Sequence, residues 1–168
     1  MRYWVRHGPP TVANGICYGQ LDLPLSESPQ VTAVRLGGKL PLAAPIYCSP
    51  LLRCRALAQE LAGDDKRPLF MTELMEVDFG RWEGVAWDDI PRQEIDAWAA
   101  DPFGYQIPDG EAIPAFVQRV ARGLSRLPSG AIVVTHAGVI RAAYHLCCHI
   151  SLPEAYELMV PYGSVSSF

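Results

Sequence analysis

Apolar positions along the chain fall into two alternating patterns. Short runs rich in β-branched, aromatic and other apolar residues occur at Arg2–Arg6, Pro45–Cys48, Leu69–Met71 and Ala131–Thr135. Each is too short to give a helix an apolar face and reads as a strand. Helical patterns lie between them. Ser28-Pro29 is an N-cap followed by proline at the first helical position, and Gly37-Gly38 stops that helix. Ser49-Pro50 repeats the start signal. Behind it Cys54, Leu57, Ala58 and Leu61 recur at helical spacing, with Gly63 as the stop. Phe116, Val120, Leu124 and Leu127 mark a third helix, ended by Pro128, and Ile140, Ala143, Tyr144 and Cys147 mark a fourth.

Alternating strands and helices predict an α/β fold, a three-layer α/β/α sandwich with a mainly parallel sheet. In such sheets ligands gather at the carboxyl ends of the strands, beside helix N-termini. Residues 72–110 break the alternation. They are rich in Trp, Asp, Gly and Pro and have weak periodicity. The reading is one domain over 1–168, with an excursion at about 72–110 that carries one or two short helices and covers the active site.

Composition narrows the function. The 168 residues are 49% apolar and 19% charged, as in an ordinary soluble domain. No apolar run approaches the ~20 residues of a membrane helix, and Arg6 interrupts the N-terminal run too early for a signal peptide. A cytoplasmic protein with no membrane partner is expected. The five cysteines are odd in number and contain no C-x-x-C, so buried thiols are expected in place of a disulfide framework. A net charge of −4 without any basic run argues against nucleic acid. An anionic substrate must then be held by a local cluster of cations.

Such a cluster is visible. Arg6-His7-Gly8 ends the first strand, Arg53 lies in the first turn after the second, and His136 follows the apolar strand Ile132-Val133-Val134-Thr135 and precedes a helix start. All sit where a phosphate would bind. Two arginines offer planar forks for phosphate oxygens. A neutral imidazole can attack phosphorus, and nearby guanidinium charges favour the neutral form. His145 and His149 are one helical turn apart with Cys148 beside them, but no H-E-x-x-H accompanies them. They read as a structural pair, and no metal site is assigned.

These segments together resemble the histidine phosphatase (phosphoglycerate mutase-like) superfamily. Arg6-His7-Gly8 is similar to its RHG signature, and Ser49-Pro50-Leu51-Leu52-Arg53-Cys54-Arg55 to its second arginine motif. Glu76-Val77-Asp78-Phe79-Gly80-Arg81-Trp82-Glu83-Gly84 resembles its acid motif, and His136-Ala137-Gly138-Val139-Ile140-Arg141 its second histidine motif. Asp22-Leu23-Pro24-Leu25 and Pro108-Asp109-Gly110-Glu111 match weaker landmarks in the same order. The resemblance implies a metal-independent phosphomonoesterase working without a cofactor on a small phosphorylated metabolite. His7 would be the nucleophile and Glu76 the general acid and base. His136, with Arg6 and Arg53, would stabilise the phosphoryl group, and Gly8 would belong to the binding loop. Glu83 would have a supporting role. Asn14 would also touch phosphate if Thr11-Val12-Ala13-Asn14 is the family's T-x-x-N displaced by one residue, after Pro9-Pro10.

Within the superfamily, Gly15–Leu25 and the Glu76–Gly84 motif look most like the α-ribazole phosphatase branch, which acts late in cobalamin synthesis. Trp82, Trp87, Phe103 and Tyr105 could wall a cleft for a flat base. A broad-specificity sugar or nucleotide phosphatase, a phosphoglycerate mutase, a phosphohistidine-protein phosphatase and a non-catalytic phospholigand binder are the alternatives. A homodimer is compatible with the sequence.

Overall fold

The computed structural model describes all 168 residues. Its element order is β1 (Tyr3–Arg6), α1 (Pro29–Leu36), β2 (Ile46–Cys48), α2 (Leu52–Ala62), β3 (Leu69–Phe70), α3 (Arg92–Ala100), α4 (Ile113–Leu124), β4 (Ile132–Thr135), α5 (Ala137–Cys148), α6 (Leu152–Tyr156) and β5 (Val165–Ser167). The sheet order is β3-β2-β4-β1-β5. β1, β2, β3 and β4 are parallel, and β5 pairs antiparallel with β1.

Strand alternation builds the two outer layers. Ile132 and Val134 point into one core with Val5, Leu36, Cys54 and Leu57, beneath α1 and α2. Val133 points the opposite way with Trp4, Phe116, Val120 and Ile140, beneath α4 and α5. With helices on both faces, the central strand β4 is buried along its whole length. Its run of β-branched residues suits that position.

The expected helices form, with shifted ends. α1 starts at Pro29 and stops at Gly37 as expected. α2 begins at Leu52, with Leu51 as its N-cap. Ser49 is therefore not its cap. Asp22 supplies a capping acceptor instead, taking the Leu52 N–H at 2.6 Å. α4 ends at Leu124, and Leu127 reaches the core from the turn that follows. α6 and β5 had no clear pattern in the sequence. Val165-Ser166-Ser167 is held as an edge strand by β1, and Phe168 stacks on Trp4 with centroids 5.5 Å apart.

Residues 72–110 contain three 3₁₀ turns, at Thr72–Leu74, Gly80–Trp82 and Trp87–Asp89, followed by α3. Trp82, Ile90 and Ile107 of this segment form a small core with Cys17. Gly80 has φ +51, and a Cβ there would lie 2.3 Å from Pro108 O. Only glycine lets the acid-motif segment pack against Pro108-Asp109-Gly110. His145 Nδ1–H donates to Ile150 O at 2.5 Å and His149 takes a left-handed conformation with φ 56, so this pair shapes the end of α5.

Candidate active site

Parallel strands place their carboxyl ends on one edge of the sheet, and β2, β4 and β1 are neighbours there. The residues just beyond them continue the ladder. His7 N–H donates to Thr135 O at 3.1 Å, and Ser49 N–H donates to Val134 O at 3.0 Å. His7, Ser49 and His136 are thus fixed by backbone geometry on a rigid platform. The structure brings Arg6, His7, Arg53, Glu76 and His136 together in the lining of one cavity of about 540 Å³.

His7 is buried. Its Nδ1 lies 2.6 Å from Gly8 O. A carbonyl can only accept, so Nδ1 carries the proton. In the neutral ring Nε2 then keeps its lone pair. Burial first, and the Arg53 charge second, lower the His7 pKa to about 3. At neutral pH the ring is an uncharged nucleophile with Nε2 unprotonated. Arg53 Nε–H points at that atom from 3.3 Å.

Arg53 is fully buried without a carboxylate partner. Its outer nitrogens donate to main-chain carbonyls, Nη1 to Leu21 O at 2.9 Å and Nη2 to Gly19 O at 2.5 Å. Arg6 is also free of ion pairs. Its Nη1 donates to Val160 O at 2.6 Å, and its guanidinium lies 3.7 Å from the Tyr162 ring centroid. Two guanidinium charges without carboxylate partners, one of them fully buried, favour a doubly charged anion between them.

His136 Nε2 and Ser49 Oγ are 2.8 Å apart, and the His136 and His7 rings meet edge-on at 5.1 Å. Burial, with His7 and Arg53 adding, holds the His136 pKa well below its ordinary value. Glu76 takes the Val77 N–H on Oε1 and the Gly138 N–H on Oε2, both at 3.0 Å. The second donor belongs to the first turn of α5. Gly138 permits the contact, since a Cβ there would lie 2.2 Å from Glu76 Oε1. The Glu76 carbonyl is held from behind by Gln20 Nε2 at 3.0 Å and by Arg119 Nη2 at 3.1 Å. Arg119 in turn forms a paired contact with Glu111, at 2.8 and 2.7 Å.

Gly8 contributes its carbonyl to His7 but does not line the cavity. Asn14 is exposed and stands outside the lining residues. Pro10 is tied to Leu25 by an isolated bridge, and the Thr11 N–H donates to Pro24 O, so the loop turns toward Pro24-Leu25 before it reaches Asn14. The aromatic wall also differs from expectation. Phe103 and Tyr105 line the cavity, whereas Trp82 and Trp87 do not. Trp82 is buried behind Tyr105, stacked at 5.9 Å, and donates Nε1–H to Glu94. Phe79, Trp98 and Tyr156 complete the wall. Sequence periodicity in this segment is too weak to tell which rings face in. Ser49, Tyr18, Tyr162 and Arg119 were also missed, because their partners lie far away along the chain.

A buried neutral imidazole, two unpaired guanidinium groups, a second imidazole and a carboxylate at a parallel sheet edge define an α/β protein equipped for phosphoryl chemistry. The family model of the histidine phosphatase superfamily (branch 1) matches residues 3–168, and the chain belongs to that superfamily. An adenosylcobalamin/alpha-ribazole phosphatase of Salmonella typhimurium is 35% identical over 154 residues, covering 83% of this chain and 76% of the relative. A candidate alpha-ribazole-5'-P phosphatase of Escherichia coli K-12 superposes with a TM-score of 0.87 at 25% identity, over 98% of this chain and 87% of that one. A phosphoglycerate mutase structure from Thermus thermophilus gives a TM-score of 0.75 at 35% identity, over 98% and 90%. No helix is long and apolar enough to cross a membrane.

The two imidazoles also make stability depend on pH. His7 binds its proton near pH 3 when folded and near 6.5 when unfolded. Between these values the unfolded chain holds the extra proton, so stability falls as pH drops through that window. The thermal midpoint is expected to fall from about pH 7 to about pH 5, and His7→Gln to flatten part of that slope. Equal slopes in the two proteins would remove His7 as a contributor.

Proposed function

We propose that this chain hydrolyses the 5'-phosphate of α-ribazole phosphate, or of the cobalamin precursor that carries it. The observation behind the substrate reading is the form of the cavity. The cavity is lined both by the buried His7, Arg53 and His136 and by the half-buried rings of Trp98, Phe103, Tyr105 and Tyr156. A phosphate anchored at His7 leaves its ribose and flat base among these rings, where stacking stabilises a base by ~1–3 kcal/mol. The phosphatase names of the curated relatives support the same reading.

The reaction runs in two displacements. His7 Nε2 attacks phosphorus while the ester P–O bond breaks, and Glu76 gives its proton to the departing alkoxide. Arg6, Arg53 and His136 hold the equatorial oxygens as charge shifts onto them. Glu76, now ionised, takes a proton from water as that water attacks the phosphohistidine. Inorganic phosphate leaves and His7 is regenerated.

The test compares kcat/KM for α-ribazole 5'-phosphate, glucose 6-phosphate and 3-phosphoglycerate in EDTA. The ribazole compound is expected to lead by roughly 10- to 100-fold, the range set by stacking one base. Trp98→Ala should erase most of that lead while sparing 3-phosphoglycerate. Equal values across the three substrates would leave a phosphomonoesterase without the cobalamin assignment, and phosphate transfer in place of release would favour a mutase.

A further inference from the structure

Glu83 is the second glutamate of the acid motif, yet it does not line the cavity. It accepts four main-chain N–H groups. Oε1 takes Gln20 at 2.8 Å and Phe79 at 3.0 Å, and Oε2 takes Gly19 at 2.9 Å and Leu21 at 3.0 Å. Three consecutive donors, at positions 19, 20 and 21, converge on one carboxylate. This turns the same loop's carbonyls outward. Two of them, Gly19 O and Leu21 O, are the acceptors of Arg53 Nη2 and Nη1.

We infer that Glu83 is a positioning residue for Arg53: it folds the Gly19–Leu21 loop into the two-carbonyl cradle that aims the Arg53 guanidinium at His7. The inference rests on Arg53 binding the phosphoryl group, as proposed above.

Two further observations support it. The preceding stretch is zipped to the segment around Glu83, through Cys17 N–H to Val85 O, Gly84 N–H to Cys17 O and Trp87 N–H to Gly15 O, each at 2.8 Å. The loop is therefore built against the segment that carries Glu83. Gly19 also lies so close that a Cβ would sit 2.0 Å from Val77 O and 3.0 Å from Glu83 Oε1. The physical need is clear from Arg53 itself. A guanidinium on a chain of three methylenes, with no carboxylate partner, takes its orientation largely from what accepts its N–H groups. A carboxylate suits the role because it accepts at both oxygens. An amide would present two N–H groups to main-chain donors at one of them.

The test is a double-mutant cycle on the whole protein. It reads kcat/KM with p-nitrophenyl phosphate, the inhibition constant of inorganic phosphate, and the thermal midpoint. Glu83→Gln is expected to weaken both phosphate inhibition and kcat/KM by roughly 10- to 100-fold, the scale of disturbing a charge-assisted network. Glu83→Asp should recover part of the loss. In an Arg53→Ala background, Glu83→Gln should cost less than about twofold more, because the group it positions is gone. The same full loss in that background would overturn the inference, as would wild-type phosphate binding in Glu83→Gln. Unchanged phosphate binding in Arg53→Ala would instead overturn the phosphate reading beneath it. If Glu83→Gln does not fold, Glu83→Asp carries the same cycle, with the same two outcomes.

Discussion

Replacing His7 by alanine is expected to abolish turnover, by on the order of 10⁵ or more. No other group can take its place. His136 is the nearest second imidazole, but its Nε2 is engaged with Ser49 Oγ. Arg6 and Arg53 are permanent cations. The loss should hold for every substrate, because the missing species is the phosphoryl acceptor itself. Acid-sensitive, base-stable phosphate should be trapped on the wild type after rapid quenching, and on His7→Ala none. Circular dichroism should show that the variant folds. Turnover surviving in a folded His7→Ala protein would dismiss the covalent route and require direct attack by water.

Glu76→Gln is expected to lower turnover of alkyl phosphates by about 10²–10⁴, the range for a lost general acid. The loss should be much smaller with p-nitrophenyl phosphate, whose leaving group departs as a stable anion. Comparing substrates is essential here, because both Glu76 oxygens accept main-chain N–H groups. An amide nitrogen would confront one of those donors and shift the side chain, which would slow both substrates equally. A loss confined to the alkyl ester identifies proton transfer. Equal losses would reduce Glu76 to a structural partner of α5.

The segments that carry these groups could be read from short stretches of chain. Arg6-His7-Gly8, Arg53 and His136 each follow an apolar run that becomes a strand, so their placement at a strand end or helix start follows from local pattern. Excursion 72–110 was legible as irregular, but its internal order was not. Its 3₁₀ turns are fixed by contacts such as Arg81 N–H to Pro108 O at 3.0 Å and Glu111 N–H to Asp78 O at 2.8 Å, which no periodicity encodes. The same limit explains the aromatic wall. Trp82 stands between Arg81 and Glu83 and Trp98 stands among alanines, yet the first is a buried support and the second lines the cavity.

By itself, the sequence determined the alternation of strands and helices and the residues at the strand ends, because hydrophobic period and turn chemistry are local. Tertiary structure alone decided which of those ends became neighbours. The order β2-β4-β1 sets Ser49, His136 and His7 side by side, although Ser49 lies 42 positions from His7 and 87 from His136 along the chain. It also decided the ionisation of the two imidazoles. A histidine's charge depends on how much water and how many cations surround it, and burial beside Arg53 leaves His7 neutral. Glu83 shows the same division. Its place in the acid motif is visible in sequence, but only the folded chain brings the N–H groups of Gly19, Gln20, Leu21 and Phe79 onto its carboxylate.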